Sequence, residues 1–368
     1  MKRILFAGYA PVHFICFLPV YNILSDDERV EIWLSGGFLH KDPEGDRYEL
    51  EGFYDDFSVD RTRIIPAERL PEEEFDVVVC AHLSTGLFPG SWKKSVEIFH
   101  GVSYKNLAVR EKALQYDYLC IPGRYHANRF RDSGLIREGG SACYLTGFPK
   151  VDGLAAGSFD PVAVRRDLGL DPGLKTILYA PTGGKKNSLE TIGEDLIRAL
   201  GEEGTWNLMI KPHDHPKNRI DWFSRLAPLV GDRVKLVRDR DVVPYLAAAD
   251  LLISDASSVS SEYSLLDRPI IFVDVPQLIK KTRAKSEAMD METYGRKIGV
   301  IIQKPEELVD AVRGAFEVPD REKSDLRKAM AAEMFYRPGD AAERVASVVR
   351  FAAGLDERLH PDIEVLEP

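Results

Sequence analysis

The chain has 368 residues, a hydrophobic share of 44%, a charged share of 29% and a net charge of −10 at pH 7. This length favours two domains, each large enough to bury its own core, and the composition is that of an ordinary globular protein. The acidic balance argues against a general affinity for nucleic acid or for an anionic membrane surface.

The N-terminal segment begins with a basic pair and an apolar run, as a secretory signal does. Pro11, His13, Pro19 and Asn22 interrupt the run, so we predict a buried strand over residues 3–8, a loop and an amphipathic helix. The four cysteines are widely spaced and form no C-x-x-C pair, which is typical of reduced, buried thiols. Both observations predict a cytoplasmic protein.

Short apolar runs rich in β-branched residues alternate with helical stretches along the chain. The first half contains RILFAG, VEIWLS, DVVVCAH, SVEIFHG, DYLCIPG and CYLTGFP, and the second contains TILYAPT, NLMIKPHDH, VKLVRD, LLISDAS, PIIFVD and GVIIQ. Strands separated by helices predict parallel sheets with helices on both faces. The sequence therefore predicts an α/β fold of two Rossmann-like, doubly wound domains facing a central cleft, where the strands have their carboxyl ends.

The domain boundary is expected near LTGFPKVDGLAAGSFDP, where glycine and proline cluster. We assign residues 1–155 to an N-terminal domain, residues 156–335 to a C-terminal domain and residues 336–368 to a helical segment. The last segment carries one apolar helical stripe from Ala342 to Ala352, which needs a partner. We expect it to cross back to the N-terminal domain.

The strand LLISD ends at Asp255, and small hydroxyl residues follow at the start of the next helix. Free N–H groups and the positive end of a helix dipole attract phosphate, and Ser257 and Ser258 add hydroxyl donors. Glu262, one helical turn later, is placed to reach a ribose hydroxyl. A plain serine cap without a ligand, and an exposed helix face for Glu262, are the alternatives.

The strand NLMI runs into Lys211 and His213, a cation and an imidazole at a strand end. We interpret them as a pair that faces phosphate. His213 and His215 also spell H-x-H, which occurs in metal sites, but no third ligand is identifiable and no metal is expected. A solvent-exposed loop is the remaining alternative.

Two further strand ends carry candidate residues. The run VEIFHG places His100 and Gly101 after a buried strand, where a histidine is suited to proton transfer near neutral pH. Taken alone, such a histidine is more often structural. The run TILYAPTGGKK places Thr182 and Gly183 where a backbone can approach a nucleotide closely, with the following lysines near its phosphates.

Other motifs bear on competing functions. Asp239 and Asp241 spell D-x-D, which holds a divalent ion in many sugar transferases, but Asp241 is better interpreted as the cap of the next helix. The sequence contains no Walker loop, no G-x-G-x-x-G after the first strand and no G-x-S-x-G elbow. Kinase, dehydrogenase and α/β-hydrolase functions therefore lose most of their support.

The motifs, taken in their order along the chain, resemble those of the CDP-glycerol glycerophosphotransferase family, the enzymes that make teichoic-acid and capsule polymers. The matching segments are FHGVSYK, DYLCIPGRYHANRF, LTGFPKVD, ILYAPT, IKPH, DVVPYLAAADLLISDASSVSSEYSLLDRPIIF, YGRKIGVIIQKPEEL and FYRPGDAAERVA. The resemblance implies a GT-B-like fold and catalysis by His100 and His213. It also implies contacts of the donor phosphates with Asp255, Ser257 and Ser258.

Further residues of these segments complete the expected site. The donor side also includes Thr182, Gly183, Lys211 and Glu262, and the acceptor side includes Gly101, Lys105 and Arg124. After H-G and after A-P-T the sequence departs from the runs common in the family, so both loops are expected to shape acceptor and donor choice. Single addition by a primase is expected at least as readily as processive polymerisation.

The expected reaction is attack of an acceptor hydroxyl, deprotonated by His100, on the β-phosphorus of a CDP-alcohol such as CDP-glycerol, with release of CMP. His213, Lys211 and the serine turn stabilise charge on the phosphoryl oxygens without a metal or cofactor. The expected acceptor is a glycan, a lipid-linked molecule or glycerol phosphate. We expect peripheral contact with the inner face of the cell membrane and no nucleic-acid partner.

Three alternatives stay open. A GT-B glycosyltransferase with a nucleotide-sugar donor needs the same diphosphate site and base, and differs in its donor. A UDP-sugar 2-epimerase shares the fold, but it needs extra carboxylates and no acceptor. A nucleotide-binding regulatory module leaves the two histidines without a role.

Overall fold

The computed structural model describes residues 1–42, 45–83, 88–213 and 220–368. The described chain divides into two compact units. Unit 1 contains Met1–Val102, Asn106–Asp152 and Ala332–Pro368, and unit 2 contains Ser103–Lys105 and Gly153–Ala331. Residues 103–105, which follow His100 closely in the chain, thus belong to unit 2. The C-terminal segment, residues 332–368, belongs to unit 1.

Strands and helices alternate through both units. The strands are β1 (Lys2–Gly8), β2 (Val30–Gly36), β3 (Phe38–Asp42), β4 (Gly45–Glu49), β5 (Ile64–Ile65), β6 (Glu74–Cys80), β7 (Ser91–Glu97), β8 (Tyr118–Ile121), β9 (Ala142–Leu145), β10 (Thr176–Tyr179), β11 (Asn207–Ile210), β12 (Val234–Leu236), β13 (Leu251–Ser254), β14 (Ile270–Val273), β15 (Val300–Ile302) and β16 (Glu364–Leu366). The α-helices are α1 (Pro11–Ser25), α2 (Arg124–Asp132), α3 (Asp152–Ala155), α4 (Pro161–Asp167), α5 (Ser188–Thr191), α6 (Gly193–Glu203), α7 (Trp222–Leu226), α8 (Val243–Ala248), α9 (Val259–Tyr263), α10 (Pro276–Arg283), α11 (Leu308–Glu317), α12 (Arg321–Met334) and α13 (Ala341–Ala352).

Unit 1 is built on an eight-stranded sheet in the order β16-β9-β8-β7-β6-β1-β2-β5. Its strands are parallel except β16, which pairs antiparallel with β9. Residues 4–7 of β1 are apolar and fully buried, as expected for a strand covered on both faces. The strand order reverses between β1 and β6, and such a reversal opens a crevice at the carboxyl ends of the strands.

The C-terminal segment completes unit 1. Helix α13 packs against α1 and against β6, β7 and β8. Its buried Arg344 donates to the carbonyl oxygen of Thr146, 2.6 Å away. Asp152 accepts hydrogen bonds from the N–H groups of Ala341 at 3.0 Å and Ala342 at 2.7 Å, which the first turn of a helix otherwise leaves unsatisfied. Arg344, from the helix itself, and Asp152 therefore fix the largely apolar helix α13 on unit 1.

Unit 2 has a six-stranded parallel sheet in the order β12-β11-β10-β13-β14-β15. Counted from β10, this is the strand order of a dinucleotide-binding doubly wound sheet, with its reversal between β10 and β13. Ile177, Ile210, Ile253 and Ile271 come from four adjacent strands and form the centre of the core under α6 and α11.

The predicted fold class, two doubly wound α/β units, is confirmed. The six strands predicted in each half are present, and the structure adds the edge strands β5 and β16 and the β3–β4 hairpin. Within the described ranges, the helices lack the length and apolar character needed to cross a bilayer.

Candidate functional site

The loops that follow β1, β6 and β7 bring three histidines together in unit 1. His13 lies in the first turn of α1, and His82 and His100 follow β6 and β7. The ring centroid of His13 lies 5.1 Å from that of His82, 5.0 Å from that of His100 and 4.5 Å from that of Tyr9. Because β1 and β6 flank the reversal of strand order, this cluster lies where doubly wound sheets bind ligands.

His100 is the exposed histidine of this cluster. Its Nδ1 lies 2.5 Å from the carbonyl oxygen of Ala81. Since a carbonyl oxygen can only accept, Nδ1 carries the hydrogen of the neutral ring, and Nε2 is the nitrogen that accepts a proton. A histidine held in this tautomer has the protonation state that a general base needs.

The other two histidines are buried. Burial lowers the pKa of His82 to about 3, with a further contribution from nearby His100, and burial also lowers the pKa of His13 well below its ordinary value. Both rings therefore stay neutral near pH 7 and add no positive charge beside the exposed histidine. Tyr9, His13 and His82 are not among the residues predicted from the sequence, although GYAPVH and VVVCAH each place a histidine soon after a buried strand.

In unit 2 the predicted donor-side residues follow three adjacent strands. Thr182 follows β10, Lys211 and His213 follow β11, and Asp255 follows β13. The backbone N–H of Thr182 donates to the Asp255 carboxylate at 2.8 Å, so the loops after β10 and β13 are joined. They meet at the reversal of strand order, where nucleotides bind in sheets of this type.

Asp255 is wholly buried, and its carboxylate is directed at protein groups. Besides Thr182, it accepts from the backbone N–H of Ser188 at 2.9 Å, from the Ser188 hydroxyl at 2.8 Å and from the backbone N–H of Ala256 at 2.6 Å. These four hydrogen bonds to one buried side chain fasten the loop after β10 to the end of β13. The geometry favours a supporting role for Asp255 over the expected direct contact with phosphate.

Ser257 and Ser258 precede a short helix. Helix α9 covers five residues, and a 3-10 turn continues the chain to Leu266. So short a helix has a smaller dipole than the sequence pattern suggests, so the case for a phosphate site at this turn depends chiefly on the serine hydroxyls. The Ser257 hydroxyl oxygen accepts from the backbone N–H of Val259 at 3.5 Å, so its own hydrogen can be donated elsewhere.

Two other donor-side expectations concern Glu262 and the loop after Gly183. Glu262 is fully buried, which contradicts the alternative of an exposed helix face. Lys186, one of the two lysines expected near the phosphates, donates through Nζ to the side-chain oxygen of Gln277 at 2.5 Å. Lys185 is exposed.

Lys211 and His213 differ in exposure. Lys211 is 7% exposed, and its backbone N–H donates to the carbonyl oxygen of Tyr179 at 2.9 Å, which fixes the start of this loop beside β10. His213 is exposed. The other histidine of the H-x-H pattern, His215, lies outside the described residues.

The predicted acceptor-side residues divide between the two units. Gly101 and Arg124 belong to unit 1, whereas Lys105 belongs to unit 2. Burial lowers the pKa of Lys105, and the nearby Asp255 carboxylate acts in the opposite direction. Arg124 makes two hydrogen bonds to Glu364, at 3.1 and 2.7 Å. Lys105 thus belongs to the same unit as the predicted donor-side residues, and Arg124 is hydrogen-bonded to the C-terminal strand.

The carboxylates of the D-x-D triplet have local partners. Asp241 accepts a hydrogen bond from the backbone N–H of Val243 at 2.9 Å, at the start of α8, and Asp239 accepts one from the hydroxyl of Tyr245. The cap residue of α8 is Val242 and not the predicted Asp241, which accepts its bond one residue earlier; the local bonds of both carboxylates still favour a structural role for the triplet. Among residues 1–42, 45–83, 88–213 and 220–368, no group of three His, Cys, Asp or Glu side chains is arranged to hold a metal ion.

Residues 93–350 match the model of the family described as CDP-glycerol:poly(glycerophosphate) glycerophosphotransferase. The teichoic acid glycerol-phosphate primase of Bacillus subtilis (strain 168) is 33% identical over 165 residues, which are 43% of this chain and 39% of the primase. The teichoic acid poly(glycerol phosphate) polymerase of Staphylococcus epidermidis is 28% identical over 181 residues, which are 46% of this chain and 24% of the polymerase. The chain thus matches less than half the length of either relative.

Solved structures with the same fold include the wall teichoic acid polymerase TagF, with a TM-score of 0.65 and 18% identity over 97% of this chain and 90% of that chain. A UDP-N-acetylglucosamine 2-epimerase has a TM-score of 0.56 and 14% identity, over 98% of both chains. At these identities the likeness concerns the fold alone, and it does not separate transferase from epimerase. The family model, in contrast, covers well over half of the chain. The chain therefore belongs to the CDP-glycerol:poly(glycerophosphate) glycerophosphotransferase family.

Proposed function

We propose that this protein transfers a glycerol-phosphate or related alditol-phosphate group from a CDP-alcohol to an acceptor hydroxyl. The acceptor oxygen forms a bond to the β-phosphorus, the bond from that phosphorus to the bridging oxygen breaks, and CMP leaves with that oxygen. The acceptor proton passes to Nε2 of His100. The products are a phosphodiester, CMP and the proton that His100 later releases to water.

The observation that carries this proposal is the hydrogen bond between His100 and the Ala81 carbonyl, in a member of this family. The bond from Nδ1 to the Ala81 carbonyl makes Nε2 the basic nitrogen of an exposed ring. The neighbouring rings of His13 and His82 are neutral, so they do not repel the positive charge that His100 acquires. A positioned general base contributes roughly 10²- to 10⁴-fold to such a reaction.

The donor phosphates are proposed to bind at the carboxyl edge of the unit 2 sheet. Ser257 and Ser258 offer hydroxyl donors after β13, while Lys211 and His213 offer N–H donors after the nearby strand β11. Donors fixed in advance around a phosphoryl group stabilise the charge that develops as CMP leaves. His213 is the proposed catalytic partner of His100 on this side.

The remaining donor-side residues are proposed to bind the nucleoside and, in the case of Lys105, to add positive charge near the phosphates. Thr182 and Gly183 bring the backbone of the β10 loop to this edge, and Glu262 remains the proposed partner of a ribose hydroxyl. We also propose a donor-side role for Lys105, which the sequence places on the acceptor side; its membership of unit 2 and its electrostatic interaction with Asp255 support this.

The acceptor and the cellular location are proposed from family membership. The two relatives compared above are named as teichoic acid enzymes, so we propose a glycan, a lipid-linked molecule or glycerol phosphate as acceptor. Gly101 and Arg124 remain the proposed acceptor-side residues. We also propose a cytoplasmic protein with peripheral contact at the inner face of the cell membrane, which co-sedimentation with anionic lipid vesicles tests.

Release of CMP is the direct test of the reaction. The purified protein is incubated with CDP-glycerol, CDP-ribitol, UDP-sugars and CMP-sugars, each with and without an acceptor that ends in glycerol phosphate. Chromatography then separates the nucleotide products. The proposal requires CMP from a CDP-alcohol, dependent on the acceptor. Conversion of a UDP-sugar without acceptor would favour an epimerase, and sugar transfer with release of UDP would favour a glycosyltransferase.

A further inference from the structure

Glu97, the last residue of β7, is a fully buried acid three residues before His100. Its Oε2 accepts a hydrogen bond from the backbone N–H of His82 at 3.0 Å, and its Oε1 accepts one from the backbone N–H of Phe99 at 3.0 Å. Burial raises the pKa of Glu97 well above its ordinary value, and these two bonds act in the opposite direction. A buried acid is costly unless protein donors satisfy it, and here the two backbone groups do so.

The first of these bonds connects Glu97 to His100. The N–H of His82 and the carbonyl of Ala81 belong to the same peptide group, which is planar, so its N–H and C=O point in opposite directions. Glu97 accepts a hydrogen bond from the N–H of this group, and Nδ1 of His100 donates one to its carbonyl oxygen at 2.5 Å. Carboxyl, peptide and imidazole thus form one chain of hydrogen bonds, in which each bond polarises the next.

The second bond holds the turn that exposes His100. Phe99 has a φ of 58°, a left-handed conformation that is strained for a residue with a large side chain. Its N–H is held by Glu97 at the point where the buried strand ends. The hydroxyl of Tyr116 also contacts Glu97 and donates to the carbonyl oxygen of His82. One acid therefore fixes both the path of the chain into His100 and the peptide group that His100 binds.

We infer that Glu97 is a positioning residue that acts on His100 through the peptide group between Ala81 and His82. It holds the imidazole as the Nδ1–H tautomer, with Nε2 directed for proton transfer. The inference rests on the proposed role of His100 as the base. It adds an acid that the predicted site residues do not include, although a glutamate within the otherwise buried run VEIFHG is a visible signal.

The test compares the tautomer of His100 in the wild-type protein and in Glu97→Gln. The amide offers one oxygen and an NH₂ group, so it can accept from only one of the two backbone N–H groups. In protein with ¹⁵N-labelled histidine at mildly alkaline pH, long-range ¹H–¹⁵N spectra report each tautomer, and His100→Gln identifies the signals. We expect Nδ1–H in the wild type and a mixture in the variant. The kcat should fall about 10- to 100-fold, while donor affinity stays within about twofold.

Ser95→Ala is the matched control, because Ser95 is a buried residue of the same strand whose hydroxyl lies 2.8 Å from the Asp117 carboxylate. This variant should keep the His100 tautomer and kcat. If Glu97→Gln does not fold, Tyr116→Phe removes a hydroxyl that contacts Glu97 and should shift the tautomer in the same direction.

An unchanged tautomer together with an unchanged kcat in the folded variant would overturn the inference. The two failures are distinguishable: full turnover in His100→Ala would remove His100 as the base and with it the catalytic meaning of the inference, whereas a tautomer shift in Glu97→Gln would still show that Glu97 controls the hydrogen bonding of His100.

Discussion

The Asp255 carboxylate accepts the backbone N–H of Thr182 at 2.8 Å, and this bond joins the two loops that flank the reversal of strand order in unit 2. The same carboxylate accepts three further hydrogen bonds, from Ser188 and Ala256. The proposed nucleotide site is thus shaped by a residue that is itself turned away from solvent. Its hydrogen bonds to Thr182 and Ser188 hold the β10 loop against the end of β13.

Asp255→Asn should destabilise unit 2 and weaken donor binding together. The amide cannot accept all four hydrogen bonds, and each buried donor left unsatisfied costs about 1–3 kcal/mol. We expect the free energy of unfolding in urea to fall by about 2–3 kcal/mol, and calorimetry to show weaker binding of CDP-glycerol. Asp232→Asn, at an exposed position, is the control. Wild-type stability in Asp255→Asn would contradict the supporting role.

Replacing Ser257 and Ser258 together by alanine should weaken donor binding without unfolding the protein. Each hydroxyl is proposed to donate to a charged phosphate oxygen, so the donor Kd measured by calorimetry should rise about tenfold or more. Ser264→Ala provides a matched control in the same segment, because that hydroxyl donates to the carbonyl oxygen of Ser261 at 2.6 Å. Unchanged affinity in the double variant would remove this turn from the donor site.

Replacement of the two proposed catalytic histidines should have different effects on kcat and on donor affinity. His100→Ala should lower kcat by about 10²- to 10⁴-fold and keep donor affinity within a few-fold, because a base acts chiefly in the transition state. His213→Ala should lower kcat and also weaken donor binding, since its hydrogen bond to phosphate exists in the ground state. The acidic limb of the pH–rate profile should disappear in His100→Ala alone. Near-normal turnover in that variant would refute the mechanism.

The buried His82 should make the protein less stable in mild acid. Its pKa of about 3 lies below the value of 6.5 expected for an unfolded chain. Between these values the unfolded chain binds a proton that the folded protein does not, so the free energy of unfolding falls as the pH falls through this window. From pH 7 to pH 5 the contribution of His82 is a loss of about 2 kcal/mol.

The measurement is urea unfolding at both pH values for the wild type and for His82→Gln, which should lose about 2 kcal/mol less on acidification. The comparison between variants is needed because Glu97, whose pKa is raised, favours the folded state as the pH falls. His40→Gln, at a partly exposed hairpin residue, controls for removal of a histidine elsewhere. Equal losses in wild type and His82→Gln would contradict a neutral, buried His82.

Asp152→Asn should loosen the C-terminal helix from unit 1. The carboxylate accepts from the N–H groups of Gly339, Ala341 and Ala342, and an amide is a weaker acceptor at this position. We expect a loss of about 1–3 kcal/mol in the free energy of unfolding, and faster amide hydrogen exchange in α13. Asp325→Asn, on an exposed face of α12, should change stability by less than about 0.5 kcal/mol. Protection of α13 at the wild-type level would contradict this role of Asp152.

The sheets were predictable because a parallel strand covered on both faces has a continuous apolar run, as residues 4–7 of β1 and residues 251–253 of β13 do. Strand β16 gives no such signal: its three residues begin with Glu364, and its partner β9 lies far away in the chain. The positions of the candidate residues at strand ends were predictable from the alternation of strands and helices. The hydrogen-bond partners of Asp255 were not, because an aspartate that binds a ligand and one that fastens a loop have the same position in the sequence. Only burial and hydrogen-bond partners distinguish them.

The return of the C-terminal segment to unit 1 determines the order in which the two units can be completed during synthesis. Most of unit 1 precedes unit 2 in the chain, but α13 and β16, which pack on its α1 and β9, are made only after the whole of residues 153–331. Unit 2 consists almost entirely of that one stretch and leaves the ribosome earlier. Unit 1 is therefore begun first and completed last. Until α13 and β16 are made, the apolar surface that they cover on unit 1 stays exposed, and chaperones bind surfaces of this kind.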